Sequence, residues 1–447
     1  MLEASSVVSQ QEASADLGCT TSPPKSGEID PVAGQHRTKR SGKRHVVAAD
    51  DNSLRPRAPR GKKRRKFANP MEHVTPEYYF ENGFRKVRPY YYTFSCFTKG
   101  RWIGRSLLDI FGSEFRMENE HSIRTTAKLG RIRINEKPID IDKYLMKDGD
   151  FLQHTVHRHE IGVLDSPIDI VHSSEDYLVV NKPASIPVHA TGRYHFNTVD
   201  SLLRFVHGYK DLRICYRLDR TTSGVLIFAR NLAADRRLKA LITAKVPRKE
   251  YVCETDGRFP ENAECLQPVD VLSNKIGVHI AANSGKEART SFSRVWTDGK
   301  TSLVKCFPQT GRTHQIRVHL QHLGYPIVND YIYNSEIFGP ERGKNGVYGK
   351  TKEQLIQDLS RRFAGNKWFV EETGEAKDFS LSVADQATTE TPSNAYFDER
   401  CFLCTISDEE PPTETLGINL HCLKYEFEDL KFETPLPAWA QKKTDSL

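Results

Sequence analysis

The chain has 447 residues, enough for two or three domains, and its 38% hydrophobic content can furnish ordinary buried cores. The formal net charge of +7 is modest, and the nine cysteines follow no regular spacing, which argues against a disulfide framework and for a reducing compartment. No stretch reaches the ~18 consecutive apolar residues of a membrane helix, so the expectation is a soluble intracellular chain with no membrane partner.

The first 68 residues are rich in Ser, Ala, Pro, Gly, Lys and Arg and are expected to be a disordered basic tail. Eight of the twelve residues from Arg55 to Lys66 are Lys or Arg, after a lighter run containing Arg37, Lys39, Arg40, Lys43 and Arg44. Such blocks suit a polyanion, a nuclear import receptor, or simple solubilisation. Glu3, Glu12, Asp16, Glu28 and Asp30 make the extreme N-terminus too acidic for a typical mitochondrial presequence. Nucleus or cytoplasm is therefore favoured over the mitochondrion.

Residues 69–104 form an aromatic-rich lead-in around Tyr78-Tyr79-Phe80 and Tyr90-Tyr91-Tyr92. Leu107, Leu108, Phe111 and Phe115 have the spacing of an amphipathic helix with Ser106 as its cap. The alternating run Leu129 to Asn135 predicts a strand with basic residues on one face, and a compact unit is expected at 105–160. Further on, Tyr177 to Val180 reads as a strand, and Thr198 caps a helix carrying Val199, Leu202, Leu203 and Val206. The β-branched run Gly224 to Ala229 predicts a strand buried on both faces. A helix over Leu232 to Ala244 is followed by strands at Tyr251 to Thr255, Gly277 to Ala281, Phe292 to Thr297 and Leu303 to Phe307. Thr313 to Leu323 has helical spacing. Residues from about 340 to 415 read as a polar insertion or mobile loop, Ile418 to Phe432 as an ordered return, and 438–447 as a tail. Many strands and few helices, out of strict alternation, predict an α+β catalytic domain over 168–437 with a mixed, mainly antiparallel sheet.

Two clusters carry chemistry. In Arg217-Leu218-Asp219-Arg220-Thr221-Thr222-Ser223-Gly224, a carboxylate between two arginines stands at the entry to the buried strand. Neighbouring positive charge would keep it ionised, and a sheet end is where a rigid scaffold holds reactive groups. Local sequence by itself is met more readily by an ordinary loop Asp paired with an arginine. The second cluster is Gly311-Arg312-Thr313-His314-Gln315-Ile316-Arg317-Val318-His319. Arg317 there could pair with a buried carboxylate or bind phosphate, although a solvated basic helix face fits the local pattern as well. His314 and His319 lack acidic or Cys partners at metal spacing, so structural histidines are expected.

With Asn181-Lys182-Pro183, Ile186-Pro187-Val188-His189 and Lys249-Glu250-Tyr251, these clusters stand in the order and spacing of the RluA-type pseudouridine synthases. The sequence resembles that family over about 168–334 and again at 418–437. Tyr79-Phe80-Glu81-Asn82-Gly83, Thr155-Val156-His157-Arg158-His159-Glu160 and Pro435-Leu436-Pro437-Ala438-Trp439 resemble a eukaryotic branch of it. The resemblance implies an RNA pseudouridine synthase that isomerises uridines of RNA, with transfer RNA favoured and messenger or ribosomal RNA as the alternatives. It implies Asp219 as catalytic residue, Tyr251 stacking on the target base, Arg317 paired with the Asp, and Arg217 filling the place of the flipped-out nucleotide. Arg220, Arg312 and His314 join the RNA-binding set. The 105–160 unit resembles an S4-like RNA-binding module, whose Arg131, Arg133 and Lys137 would face phosphate. The family needs no metal, redox group or other cofactor, and a monomer is expected. One departure is Tyr216, where the family usually has His before Arg-Leu-Asp. Tyr keeps an aromatic body and a polar tip, so retained activity with altered RNA contacts is the expectation.

Three rival readings bear on these residues. A catalytically silent RNA binder would have no need of Asp219, Tyr251 and Arg317 together. A nucleoside hydrolase would want two carboxylates with divided roles, and the motifs offer one. Cys401-Phe402-Leu403-Cys404 has zinc spacing, and His421-Cys422 could complete a site, although only one such pair exists.

Overall fold

The computed structural model describes residues 74–114, 120–274, 276–365, 396–405 and 410–444. The tail anticipated at 1–68, with both basic runs, lies outside the described residues, as do Phe115 and residues 366–395 of the anticipated insertion.

The strand Ser223–Ala229 sits inside a ten-stranded sheet, and every side chain from Val225 to Ala229 is fully buried. A continuous apolar run replaces alternation because both faces are covered. On one side it pairs with Tyr177–Lys182, which pairs in turn with Asp169–Ser173. The helices Val199–Phe205 and Leu232–Thr243 contribute Val199, Leu202, Leu203, Ala234 and Leu238 to the same core. Thr198 caps the first of them as expected, its hydroxyl accepting the Ser201 amide at 3.2 Å.

The other half of the sheet runs Arg248–Asp256, Thr301–Pro308, Thr290–Thr297 and Asn262–Cys265, all antiparallel. Its core holds Cys253, Phe292, Val304 and Cys306 against Ile316 and Leu320 of the helix Gln315–Leu323. A strand from near the chain's end, Leu420–Phe427, joins the halves, antiparallel to Arg248–Asp256 and parallel to Ser223–Ala229. That parallel pair is the sheet's single parallel contact among the described residues, so the domain has the anticipated mixed, mainly antiparallel sheet. At this seam Gly224 adopts φ +110°, and a Cβ there would stand 2.2 Å from the Cys422 carbonyl oxygen. Only glycine allows the two backbones to approach so closely.

N-terminal to this domain, a four-stranded sheet orders Tyr90–Phe97, Phe151–Arg158, Ile132–Ile134 and Lys137–Pro138. It packs with the helices Leu107–Glu114 and Glu120–Lys128 around Trp102, Leu107, Ile110, Phe111, Ile132 and Leu152. The unit anticipated at 105–160 therefore extends back to Tyr90, because the tyrosine run pairs along all eight of its residues with Phe151–Arg158. Glu160 ties this unit to the larger domain. Its carboxylate accepts the backbone amides of His195, Phe196 and Asn197 at 2.8–2.9 Å and the Tyr90 hydroxyl at 2.6 Å.

Two expectations need correction. Within the anticipated polar insertion, Lys352–Gly365 is a helix whose Leu355 and Leu359 are buried with Val318, Tyr333 and Phe338. The anticipated tail begins as the helix Ala438–Thr444, with Ala440 fully buried against Val252 and Leu303. Both segments are polar on average, and a few well-placed apolar contacts hold each one.

Gly224→Ala is expected to lower stability by at least about 2 kcal/mol through clash and backbone strain. Gly112→Ala, on a helix with no atom within 4 Å of the added Cβ, should leave stability unchanged or raise it by up to ~1 kcal/mol. Urea unfolding of both variants measures the contrast.

Candidate active site

Asp219 lies in the loop that enters the seam strand, and its own carbonyl closes a turn by accepting the Thr222 amide at 3.1 Å. The loop is held from below by Lys182, which is wholly buried on the neighbouring strand opposite Gly224. Its ammonium donates to the carbonyl oxygens of Pro183, Arg220 and Thr222 at 2.9, 3.1 and 2.7 Å. All three ammonium protons are thereby used. Burial, then Arg220, lowers the Lys182 pKa to about 7, with Asp219 opposing the shift. From the side, Arg220 donates to the Thr415 carbonyl at 2.7 Å, and the Ile418 amide to Thr221 at 3.2 Å.

Arg317, 4% exposed, reaches Asp219 from the helix Gln315–Leu323. Its Nη1 donates to Asp219 Oδ2 at 3.1 Å, while Nε and Nη2 make a two-point contact with Asp330 at 2.7 and 2.9 Å. The Tyr333 ring lies 4.8 Å from the guanidinium. One fixed cation thus serves two carboxylates, of which Asp330 is fully buried and Asp219 faces the cleft.

His314 stands beside this pair, its Nε2 3.7 Å from Asp219 Oδ2. It occupies the left-handed region at φ 57°, so the helix begins at Gln315, two residues later than its periodicity predicts. Its Nδ1 is 2.8 Å from the Tyr333 hydroxyl, which accepts the His279 amide at 3.1 Å. Burial lowers the His314 pKa to about 4, leaving the imidazole uncharged near neutrality. For Asp219, burial acts to raise the pKa, but His314, Arg317 and Arg217 outweigh it and hold the carboxyl below its ordinary value. With His314 neutral at physiological pH, the two arginines carry that effect there.

These groups line a cleft of about 260 Å³ with Pro187, Val188, Ile276, Tyr331 and Ile332. Arg217 is exposed at its edge, with Nη2 3.4 Å from the Thr313 hydroxyl. Arg220 also lines the cleft but is engaged with backbone carbonyls. Arg312 lies outside the lining and donates to the Glu287 carbonyl at 2.9 Å. Tyr251 pairs in register with Cys422, and its half-buried ring packs between the two cores rather than in the cleft lining. Its hydroxyl, hydrogen-bonded to Cys422, is raised well above its usual pKa, by burial first and Cys422 second.

Tyr216 is drawn into the core, stacked on Tyr425 at 4.9 Å and donating to the Val225 carbonyl at 3.1 Å. His319 is structural, bonded to Thr290 Oγ1 and the Gln267 carbonyl at 3.0 and 2.9 Å. Arg133 and Lys137 are exposed on their hairpin, whereas Arg131 is paired with Asp398 at 2.8 Å. Cys401 and Cys404 are not joined by His421 or Cys422. His421 instead bonds Ser223 and Thr434, each at 2.8 Å, and Cys422 bonds Tyr251. Lys182, Asp330 and Tyr333 are the functional residues whose roles the sequence reading missed. Lys182 stood in a noted motif, but nothing local marks Asp330 or Tyr333 as partners of Arg317.

A carboxylate held below its ordinary pKa in a cleft lining, beside two arginines, is an arrangement that can meet developing positive charge. The pattern for RNA pseudouridylate synthases matches residues 176–322, the stretch that carries Asp219, Tyr251 and Arg317. The human pseudouridylate synthase RPUSD2 is 38% identical over 92% of this chain and 82% of its own length. Two Saccharomyces cerevisiae proteins also align. The mitochondrial tRNA pseudouridine(32) synthase is 34% identical over 83% of this chain and 78% of its own length. The tRNA pseudouridine(31) synthase is 33% identical over 82% of this chain and 97% of its own length. The chain belongs to the RluA-type RNA pseudouridylate synthase family and is an isomerase acting on RNA. Among the described residues no helix is long and apolar enough to cross a membrane.

Arg317→Met should cost about 3–5 kcal/mol at neutral pH, since it strands two carboxylates in a desolvated site. A depressed carboxyl pKa contributes stability above the unfolded value of about 4 and loses it as pH falls through the folded value. In the variant Asp219 can protonate instead, so its deficit against wild type should shrink toward pH ~4. Denaturant unfolding at several pH values measures this; a deficit independent of pH would count against the ion-pair account.

Proposed function

We propose that this chain converts uridines of transfer RNA to pseudouridine, with Asp219 as the catalytic carboxylate acting on a nucleotide flipped into the cleft. The observation that carries the proposal is the pairing of Asp219 with a buried arginine that is itself locked onto Asp330. It keeps a negative charge at one point in a cleft wide enough to admit a base.

The reaction breaks the N1–C1′ bond and forms C5–C1′. N1 takes up a proton, C5 gives one up, and nothing else is added or lost. An ionised carboxylate at C1′ can stabilise positive charge on the sugar, attack it covalently, or remove a sugar proton. Each role needs Asp219 ionised, and the arginines supply that condition. Base flipping follows from access, since C1′ and C5 of a stacked nucleotide cannot both be reached. Arg217, exposed and free to extend, is suited to the space the nucleotide leaves. The family resemblance assigns Tyr251 to stacking on the base, a contact worth roughly 1–3 kcal/mol; its ring packs against both cores outside the cleft lining, so the flipped base would have to reach that seam.

Transfer RNA is favoured because both yeast relatives are named as tRNA synthases, for positions 32 and 31. The N-terminal unit would bind RNA as an S4-like module through Arg133 and Lys137, which lie exposed on one hairpin. Arg131 is the weaker candidate, because Asp398 already holds it. Nucleus or cytoplasm is retained as the site of action, and the name of one yeast relative makes the mitochondrion a real alternative.

Asp219→Asn is expected to abolish turnover on transfer RNA, with a loss of at least about 10³-fold, while leaving binding and unfolding close to wild type. Pseudouridine mapping of RNA from cells carrying this variant should show lost sites in transfer RNA. Losses confined to ribosomal or messenger RNA would refute the substrate assignment, and full activity in the variant would refute the catalytic one. With Asp219 held below its ordinary pKa and His314 already neutral, activity should be nearly flat from pH ~8 to ~6, and the first decline, toward ~4, should follow protonation of His314 rather than of Asp219.

A further inference from the structure

We propose that His157, His159, Cys401 and Cys404 bind one zinc ion in a tetrahedral site that clamps the 396–405 segment to the N-terminal unit. His157 lies in the strand Phe151–Arg158 and His159 two residues on, a spacing that sends both rings to one face of an extended chain. Cys401 and Cys404 stand some 240 residues later, at either end of a turn closed by the Cys404 amide on the Cys401 carbonyl at 2.9 Å. Tertiary folding alone brings them together.

The geometry suits zinc without rearrangement. His159 Nε2 lies 3.3 Å from His157 Nδ1. Cys404 Sγ is 3.3 Å from each of these nitrogens, and Cys401 Sγ is 3.6 Å from His159 Nε2. All four ligand atoms fall within 4.8 Å of one another, and this is the one such group among the described residues. With Zn–N near 2.0 Å and Zn–S near 2.3 Å, a tetrahedron has N···N edges of about 3.3 Å and N···S edges of about 3.5 Å. These four separations lie within about 0.2 Å of those edges. Two thiolates, two neutral imidazoles and a divalent cation sum to zero charge, which a half-buried site tolerates. Binding releases the two thiol protons to solvent. The Asp398 amide points at Cys404 Sγ from 3.4 Å, a donor placed to stabilise a thiolate.

The clamp has a structural consequence that reaches the cleft. Asp398, held by the same turn, receives Arg131 at 2.8 Å and the Tyr91 hydroxyl at 2.9 Å. Further along, Glu410 pairs with Lys86 at 2.6 Å, and Thr415 and Ile418 line the cleft and hold the Asp219 loop. Zinc thus fixes one end of the segment whose other end buttresses the active site. The Thr155–Glu160 stretch acquires a role that the catalytic site does not supply.

Full-length protein purified without chelators would be analysed by plasma mass spectrometry and titrated with cobalt(II) under reducing conditions. One equivalent of zinc is expected, together with cobalt exchange that yields the intense visible bands of a tetrahedral thiolate site. The Cys401→Ser, Cys404→Ser double variant should lose both signals, and Cys96→Ser should keep both. His159→Cys preserves four ligands and should retain the metal with a stronger sulfur charge-transfer band, which separates ligation from mere folding. Wild-type protein that neither carries zinc nor takes up cobalt after reduction would overturn the site. Undiminished zinc in the double-serine variant would overturn it equally.

Discussion

The candidate site is organised around one buried guanidinium. Arg317 is desolvated on a helix with almost no exposed surface, and such a charge persists only if it is matched. Asp330 matches it with a two-point contact from within the protein, and the remaining nitrogen is left to Asp219. The division matters. Asp330 is the stronger of the two anionic partners, with two hydrogen bonds to the one that Asp219 accepts. Asp219 can then face the cleft, ionised, without being the arginine's main anchor.

Around that ion pair the fold supplies rigidity where two half-sheets meet. A strand from near the chain's end fills the gap between them, and Gly224 lets it approach the strand that follows the Asp219 loop. Lys182, buried one strand away, donates to the Arg220 and Thr222 carbonyls of the Asp219 loop and to the carbonyl of its own neighbour Pro183. Tyr251 lies against the same seam, opposite Cys422. Helix, loop and strand therefore converge on the line where the sheet changes from antiparallel to parallel pairing.

Much of this was legible in the chain. Periodicity located the strands around Gly224 to Ala229 and the helix carrying Arg317, and the two arginine-rich clusters marked the site before any geometry was known. Periodicity failed where a few contacts outweigh average polarity, as in the helices Lys352–Gly365 and Ala438–Thr444. It also failed for Tyr90–Phe97, whose aromatic run becomes a strand only because Phe151–Arg158 lies beside it. The spacing of Cys401 and Cys404 suggested metal, but sequence proximity pointed to His421 and Cys422 as partners. Those residues are taken by Ser223, Thr434 and Tyr251, and the ligand-like atoms nearest the cysteines belong to His157 and His159.

The sequence by itself determined the class of enzyme and singled out Asp219 and Arg317 as candidates, because family membership is carried by the order and spacing of several motifs. Tertiary structure alone decided what each group faces. Asp330 completes the Arg317 clamp from thirteen positions away, Tyr216 turns inward instead of toward RNA, and Arg131 is claimed by an aspartate 267 positions later. The reason is physical: charge state and access depend on burial and on partners brought together by folding, and neither is encoded within reach of a local motif.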